Sequence, residues 1–577
     1  MNIPRPEHPR PQFTRPQWLN LNGAWTFTFD PGKSGVARGL STSQGFERQI
    51  SVPFCPESVL SGVGHTDFIE AMWYHRTIDI PSDWRDRRIL LHFGGVDYES
   101  ELYVDGVSAG LHFGGSASFE VDISAHVSVG ASHDIVLRIF DQTRNANQPG
   151  GKQCPDFASR GCHYTRTTGI WQTVWLEAVD VHGLRDVHIV ADLDGARFIV
   201  APRFHAQQYG LRWRATLVGQ EPVTAAAADG ATLVIPVRDP RPWRPDDPHL
   251  YEMTFEVLDS DGHSLDQVSS YAGLRKVHVE GSRIFLNNEP LYQRLVLDQG
   301  FYPDGIWTAP SDAALKGDIE LSMRAGFNGA RLHQKVFEER FHHWADRLGY
   351  LTWGESSSWG CGPHSDQGAR NFLSEWREIV ERDRNHPSII AWTPWNETWG
   401  LGDAPRAHHR THADSYDICK SVDPTRPVND ASGGIHVKTD LWTEHTYEQD
   451  AAKLKQLLTP SADGCPWLRD PNRIFSYSGQ PYLLDEFGGT KWVAEDPRGD
   501  DAGGWGYGEG PRTLEEFYLR LEALVKTVLA LDHCRGYCYT QLTDVEQECN
   551  GIFLYNRSEK FDMDRIHAIF SRSPEPA

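Results

Sequence analysis

Several things are scarce in this chain of 577 residues. Cysteine is sparse: nine residues, an odd number, with no Cys-x-x-Cys pair among them. Such thiols read as reduced and mostly structural, which suits a cytoplasm. No stretch approaches the roughly 20 apolar residues that span a bilayer, so no membrane partner is expected. The opening Met1-Asn2-Ile3-Pro4-Arg5-Pro6 has no apolar core of a secretory signal, and the expected location is cytoplasmic. Positive charge is in deficit: 56 Lys and Arg against 79 Asp and Glu give a net charge of -23. Binding a phosphate backbone needs clustered cations, so no nucleic-acid partner is expected. Low-complexity tracts and short-period repeats are absent as well.

What remains is an ordinary globular composition, 39% hydrophobic and 23% charged, without the signature of long disorder. The length implies roughly three to four domains. Aromatic residues reach 11%, with 20 Trp. Trp faces stack on the C–H faces of sugar rings, so a carbohydrate partner fits.

The first third reads as β structure. Segments such as Ala24–Phe29, Arg88–Phe93, Glu101–Val104, Asp134–Ile139 and Gln172–Leu176 alternate apolar and polar residues, with turn residues such as Asp105-Gly106 between many of them. The pattern predicts a β-sandwich over residues 1–180. A second β block over residues 181–277, with strands near Asp186–Val190, Leu211–Leu217 and Tyr251–Val257, suits an immunoglobulin-like module. From residue 278 to 577 helical stretches alternate with short apolar strands. Ser311 or Asp312 is placed to cap the first helix, and Phe337–Leu348 and Phe372–Arg384 read as further helices. This is the size and rhythm of a (β/α)8 TIM barrel.

A barrel displays its chemistry at the C-terminal ends of its strands. Three acids follow strand-like apolar runs: Glu355 after Tyr350–Gly354, Glu397 after Ile389–Asn396 and Glu486 after Tyr482–Asp485. They fall on strands three, four and seven. Two carboxylates facing each other across a pocket are what glycosidic cleavage needs. One protonates the leaving oxygen; the other attacks the anomeric carbon when the pair is about 5 Å apart, or activates water when it is wider.

The run Asp383-Arg384-Asn385-His386-Pro387-Ser388-Ile389-Ile390-Ala391-Trp392-Thr393-Pro394-Trp395-Asn396-Glu397 resembles the acid/base signature of glycoside hydrolase family 2, with Ala391 and Thr393 as departures inside the strand. Trp18–Trp25, Phe93–Tyr98 with Tyr103–Gly106, and Thr165–Gln172 resemble the family's N-terminal segments. The resemblance covers essentially the whole chain. It implies a jelly-roll domain, an immunoglobulin-like domain and a C-terminal TIM barrel. It also implies an exo-acting retaining glycosidase in which Glu397 is acid/base and Glu486 nucleophile. Asn396 is then expected on the sugar 2-hydroxyl, Arg331 beside Glu486 to keep it ionised, and Tyr447 bonded to Glu486. His333, Glu355 and Trp359 fall on substrate-pocket positions, and Tyr539 and Gln541 on the floor from strand eight. Lys152, Gln153 and His163 fall in the loop expected to wall off the site. The acid is expected to carry a raised pKa, because Glu486 is a negative neighbour.

No cofactor is expected. Some β-galactosidases of the family bind magnesium and sodium beside the acid/base, and Glu355 is a candidate ligand. Ser357, however, stands where a histidine ligand belongs, so no metal residue is assigned and an optional divalent cation stays open. The β-glucuronidases of the family carry an Asn-x-Lys pair; Asn550-Gly551-Ile552 and Asn556-Arg557-Ser558 lack the Lys. β-Galactosidase, the most common activity of the family, is the default the resemblance implies, with galactofuranosidase, arabinofuranosidase, β-mannosidase and β-glucuronidase as alternatives. A non-catalytic carbohydrate-binding protein is the reading of another class; loss of one carboxylate is its mark, and both are present. Oligomers are frequent in the family, which leaves a homo-oligomer open.

Overall fold

The computed structural model describes residues 3–206, 209–227, 230–399, 404–469, 475–493 and 504–574. Its first unit is a sandwich of a four-stranded and a six-stranded antiparallel sheet, ending with the strand Val174–Asp180. The inward residues of both sheets, among them Trp25, Phe27, Tyr74, Leu91, Leu137 and Leu176, form one core. This is the sandwich that the alternating segments predict and the jelly roll that the family resemblance implies. The second unit packs a three-stranded sheet on a four-stranded one around Phe198, Trp213, Phe255 and Val268, as an immunoglobulin-like sandwich does.

The boundary expected at residue 278 falls inside a strand. Val277–Glu280 pairs with Arg283–Leu286 in a small hairpin that belongs to the barrel. Val277, Ile284 and Leu286 plug the barrel's lower end against Leu295, Leu351, Trp353, Ile390 and Leu483. Above them run the eight barrel strands: Gln293–Asp298, Gly329–Leu332, Leu351–Glu355, Ile389–Thr393, Ala431–Ser432, Trp442–Thr446, Tyr482–Gly488 and Cys534–Thr540. All but the fifth form one parallel sheet in the order four, three, two, one, eight, seven, six. Strand five is short. It closes the gap by pairing Ala431–Ser432 with Trp395–Asn396, by a Trp392–Val428 bridge, and by a Thr443 Oγ1 to Asn429 Oδ1 bond of 3.2 Å.

Helices follow every strand except the fifth among the described residues. The first, Asp312–Arg324, is capped by Ser311, whose hydroxyl accepts from Ala314 N. The third, Asp366–Asp383, starts six residues before the apolar periodicity does. Gln367-Gly368-Ala369-Arg370-Asn371 hides it, and the Ser365 cap on Gly368 N fixes the start. Ion pairs lock the three units together. Arg15 binds Glu177 at 3.0 Å and Asp266 at 2.9 Å, joining the two sandwiches. Arg5 reaches Glu338 on the barrel at 2.7 Å.

The first half of the long signature proves to be a docking device. Arg384 binds Asp186 at 2.9 Å, while the Asn385 side chain accepts from Ile189 N (2.9 Å) and donates to Val187 O (2.8 Å) on an edge strand of the second unit. Strand four is thereby held from below at one end and carries Asn396-Glu397 at the other.

Candidate active site

The upper ends of strands two, three, four, six and seven converge on one polar cluster whose centre is Arg331, wholly buried on strand two. Every arm of its guanidinium is used. Nε donates to Glu355 Oε2 at 2.6 Å, Nη1 to Glu486 Oε1 at 2.8 Å and Nη2 to Asn396 Oδ1 at 2.6 Å. The same Nη2 lies 2.9 Å from His333 Nδ1. Burial disfavours the charge, but Glu355 and Glu486 outweigh it, so the proton is held more tightly than in free arginine.

Glu486 is gripped on both oxygens: Arg331 holds Oε1, and the Tyr447 hydroxyl donates to Oε2. Tyr447 itself stacks face to face on Tyr507. Glu397 sits in the left-handed region, at φ 48°, where a side chain costs about 1–2 kcal/mol. Its backbone N–H is held by Ser432 O at 2.9 Å. Carboxylate oxygens of Glu397 and Glu486 and a ring nitrogen of His445 all lie within 4.8 Å of one another. The Glu397 side chain is 22% exposed and that of Glu486 only 6%, so Glu397 is the outer of the two acids.

His445 occupies the space between them. Its Nδ1 is 2.9 Å from Glu397 Oε1 and 3.5 Å from Glu486 Oε2, and its Nε2 is 3.1 Å from Asp485 Oδ1. Asp485 and Glu486 are neighbours, yet both reach His445, which regular alternation forbids. A one-residue register shift of strand seven against strand six, a bulge, allows it. Burial would drive the His445 proton off, but Glu486, Asp485 and the bond to Glu397 push its pKa up to about 10. His445 is thus an imidazolium amid carboxylates.

This corrects the expectation for the acid. Burial raises the pKa of Glu397, but His445 outweighs it by hydrogen bond and charge, with Lys152 and Arg331 adding, and the net shift is downward. Of the two, the surroundings favour the protonated form of His445 and the ionised form of Glu397.

Other expected residues divide. Asn396 is 1% exposed, and its Nδ2 has no partner among the described residues. Trp359 Nε1 donates to Asn396 O at 3.2 Å, and the Trp359 ring is roofed by the N-terminal loop, with Lys152 Nζ 4.1 Å and the His163 ring 5.3 Å from its centroid. His333 is buried and neutral, its pKa held far down by desolvation and by Lys152 and Arg331. Glu355 does not form the pocket wall. Its side chain is fully buried, and its oxygens accept from Arg331 (2.6 and 3.3 Å) and Gln334 N (3.0 Å), which leaves it a support of Arg331 and not a free ligand for a cation.

The strand-eight floor is also different. Tyr539 points outward, packed on Phe487 and Phe570 in the helix-facing core. Thr540 points inward instead, its Oγ1 3.2 Å from the Tyr447 hydroxyl. Gln541 is sealed between Gln299 (2.8 Å) and Asn550 (2.7 Å). Gln153 turns away from the pocket to donate to Asp97 inside the jelly roll at 2.7 Å. His445, Asp485 and Thr540 had escaped assignment. His445 has a readable signal: two residues before Tyr447 in a strand, it shares its face.

Three models of one family match the chain: the sugar binding domain of glycosyl hydrolases family 2 at residues 66–176, glycosyl hydrolases family 2 at 206–275, and its TIM barrel domain at 277–465. A β-glucuronidase of Paenibacillus borealis is 25% identical over 71% of this chain and 72% of its own length. A β-galactosidase of Thermoanaerobacter pseudethanolicus is 24% identical over 77% of this chain, which spans only 56% of that protein. Among solved structures, the β-glucuronidase from Ruminococcus gnavus in complex with D-glucuronic acid superposes with a TM-score of 0.80 at 19% identity, covering 98% of this chain and all of that one. With matches in all three units, the chain belongs to glycoside hydrolase family 2, the O-glycosyl hydrolases built on this three-part frame.

Proposed function

We propose that the protein is an exo-acting β-glycosidase that works with retention through a covalent glycosyl-enzyme. The supporting observation is the spacing of Glu397 and Glu486, whose oxygens come within 4.8 Å of each other. That is too close to admit a water between sugar and base, and it matches the roughly 5–5.5 Å of retaining enzymes. Glu486 attacks the anomeric carbon, positioned by Arg331 and Tyr447. Glu397 gives a proton to the departing oxygen. After the aglycone leaves, Glu397 takes a proton from water, which displaces Glu486. Asn396 Nδ2, without a partner among the described residues, supports a role as donor to the sugar 2-hydroxyl. Both displacements use carboxylates and proton transfer alone, so the reading calls for no cofactor.

His445 shapes the first step. The proton it holds passes along the 2.9 Å bond to Glu397 as the substrate displaces water from the pair, and it is Glu397 that faces the leaving group. When that proton leaves with the aglycone, Glu397 is left ionised and basic; the proton it then takes from water can return to His445 once Glu486 is freed and again charged.

The substrate we propose is a neutral β-glycoside, β-galactoside first. The residues near the missing Asn-x-Lys pair are occupied: Asn550 is bound by Gln541 and Glu548, and Arg557 is bound to Asp318 at 3.0 and 3.1 Å. Neither is free to hold a sugar carboxylate. All nine cysteines are unpaired, which supports a reducing, cytoplasmic setting, and no helix among the described residues is long and apolar enough to cross a membrane. Proton NMR of the first product from an aryl glycoside panel tests the reading: the β anomer must form first. An initial α anomer means inversion and sinks it.

A further inference from the structure

The loop from the jelly roll brings one charge into the pocket that the mechanism does not use. Lys152 is only 5% exposed. Its ammonium lies over Trp359, and among the described residues no hydrogen bond or ion pair holds it. Burial works against its charge, but Cys162, Glu548, Glu486 and Glu397 together outweigh this and keep it protonated. A buried ammonium with unused donors is costly unless something else supplies acceptors.

Its position is built, not incidental. Gly150 N and Gly151 N donate to Trp359 O (2.8 Å) and Ser357 O (3.0 Å) of the loop after strand three. Gly151 adopts φ 57°, and a Cβ there would stand 2.2 Å from Gln334 O, so only glycine lets the loop come this close. On the other side, Glu546 accepts from Thr165 N at 2.9 Å, Gln547 Nε2 donates to Gly161 O and His163 O, and Tyr164 donates to Glu548. The loop is clamped between the barrel segments after strands three and eight.

We propose that Lys152 and Glu548 form a matched donor–acceptor pair that selects a neutral sugar by its hydroxyls. This rests on the glycosidase reading above and names its substrate class. Glu548 is buried, and Tyr164 and Asn550 each donate to one of its oxygens, which leaves each oxygen a further acceptor position. No hydrogen bond or ion pair joins it to Lys152 among the described residues; burial raises its pKa, and the charge of Lys152 with the bonds from Tyr164 and Asn550 works against that rise. A hydroxyl both donates and accepts, so one seated between the two accepts from Lys152 and donates to Glu548. A carboxylate only accepts; it satisfies Lys152 and meets Glu548 with a like charge. The pair therefore favours a hydroxymethyl or ring hydroxyl over a uronate, with Trp359 as the apolar face beside it.

The test compares wild type, Lys152→Met, Lys152→Arg and Glu548→Gln on aryl β-galactoside, β-mannoside and β-glucuronide, with labelling by a 2-deoxy-2-fluoro glycoside of the preferred sugar as control for the chemistry. The expected result is a neutral preference in wild type and a loss of about 100-fold in kcat/KM in Lys152→Met and Glu548→Gln. Lys152→Arg recovers part of the loss, and the variants still label at Glu486. Wild-type preference for the glucuronide, or full activity in both Lys152→Met and Glu548→Gln, overturns the assignment and leaves the retaining mechanism standing. Failure of wild type to label or turn over at all counts instead against the glycosidase reading.

Discussion

Arg331 and Lys152 are two buried cations of one pocket, and they are treated oppositely. Arg331, from a barrel strand, spends its donors on Glu355, Glu486, Asn396 and His333. Lys152, from a loop of another domain, spends none among the described residues. A saturated cation organises the groups that react; an unsaturated one awaits the ligand. In the proposed reading the first positions the reacting carboxylates and the second selects the sugar.

Replacing each cation separates the roles. Arg331→Met leaves Glu355 and Glu486 as buried charges without their partner, which costs about 3–5 kcal/mol of stability. Activity should fall on the order of 10³-fold or more for every sugar, read as kcat/KM beside a thermal melt. Lys152→Met should lower the melting temperature far less than Arg331→Met, because it breaks no hydrogen bond or ion pair among the described residues and loses only the longer-range attraction of the nearby acids. A large drop in melting temperature in Lys152→Met would mean that its ammonium is structural after all.

His445→Gln addresses the proton. In wild type the surrounding carboxylates push the His445 pKa up to about 10, so the proton nearest Glu397 is held by the imidazole. Without the imidazole only carboxylates are left to hold it, so the alkaline limb of the kcat/KM profile should move to lower pH by roughly 2 units or more. A limb that stays in place shows that the acid's proton is not held by His445.

Smaller effects sharpen the loop side. Gly151→Ala forces the loop off Gln334 and should raise KM by about 10-fold with little change in kcat, since the carboxylates are untouched. Tyr539→Phe should leave kcat/KM within about 2-fold, because its ring faces the outer core. A larger loss would restore Tyr539 to the pocket.

The sequence made the frame legible because periodicity is a local signal. The alternating runs of the first third and the strand-end acids Glu397 and Glu486 needed no knowledge of tertiary contacts. What was hidden depends on departures from regular spacing or on distant residues. The choice between Tyr539 and Thr540 is a one-residue question of register, and reading the wrong parity puts a core tyrosine in the pocket. Asp485 joins Glu486 at the site only through a bulge. Glu355 carries the same strand-end signal as Glu397 and Glu486, and only the geometry of Arg331 shows it to be a support. The lowered pKa of Glu397 was illegible because it comes from His445, 48 residues away on another strand. Sequence position puts Lys152 in the loop that walls the site, but its lack of a hydrogen-bond or ion-pair partner among the described residues is visible only once both clamping segments are in view.

The central claim is that Glu486 becomes covalently bonded to the sugar. Incubating the enzyme with a 2-deoxy-2-fluoro-β-glycoside bearing an activated leaving group, then mapping the peptides by mass spectrometry, tests it directly. The account predicts one sugar added per chain, on the peptide carrying Tyr482-Leu483-Leu484-Asp485-Glu486. A label on Glu397, or turnover of the parent glycoside with no covalent species on Glu486, would contradict it.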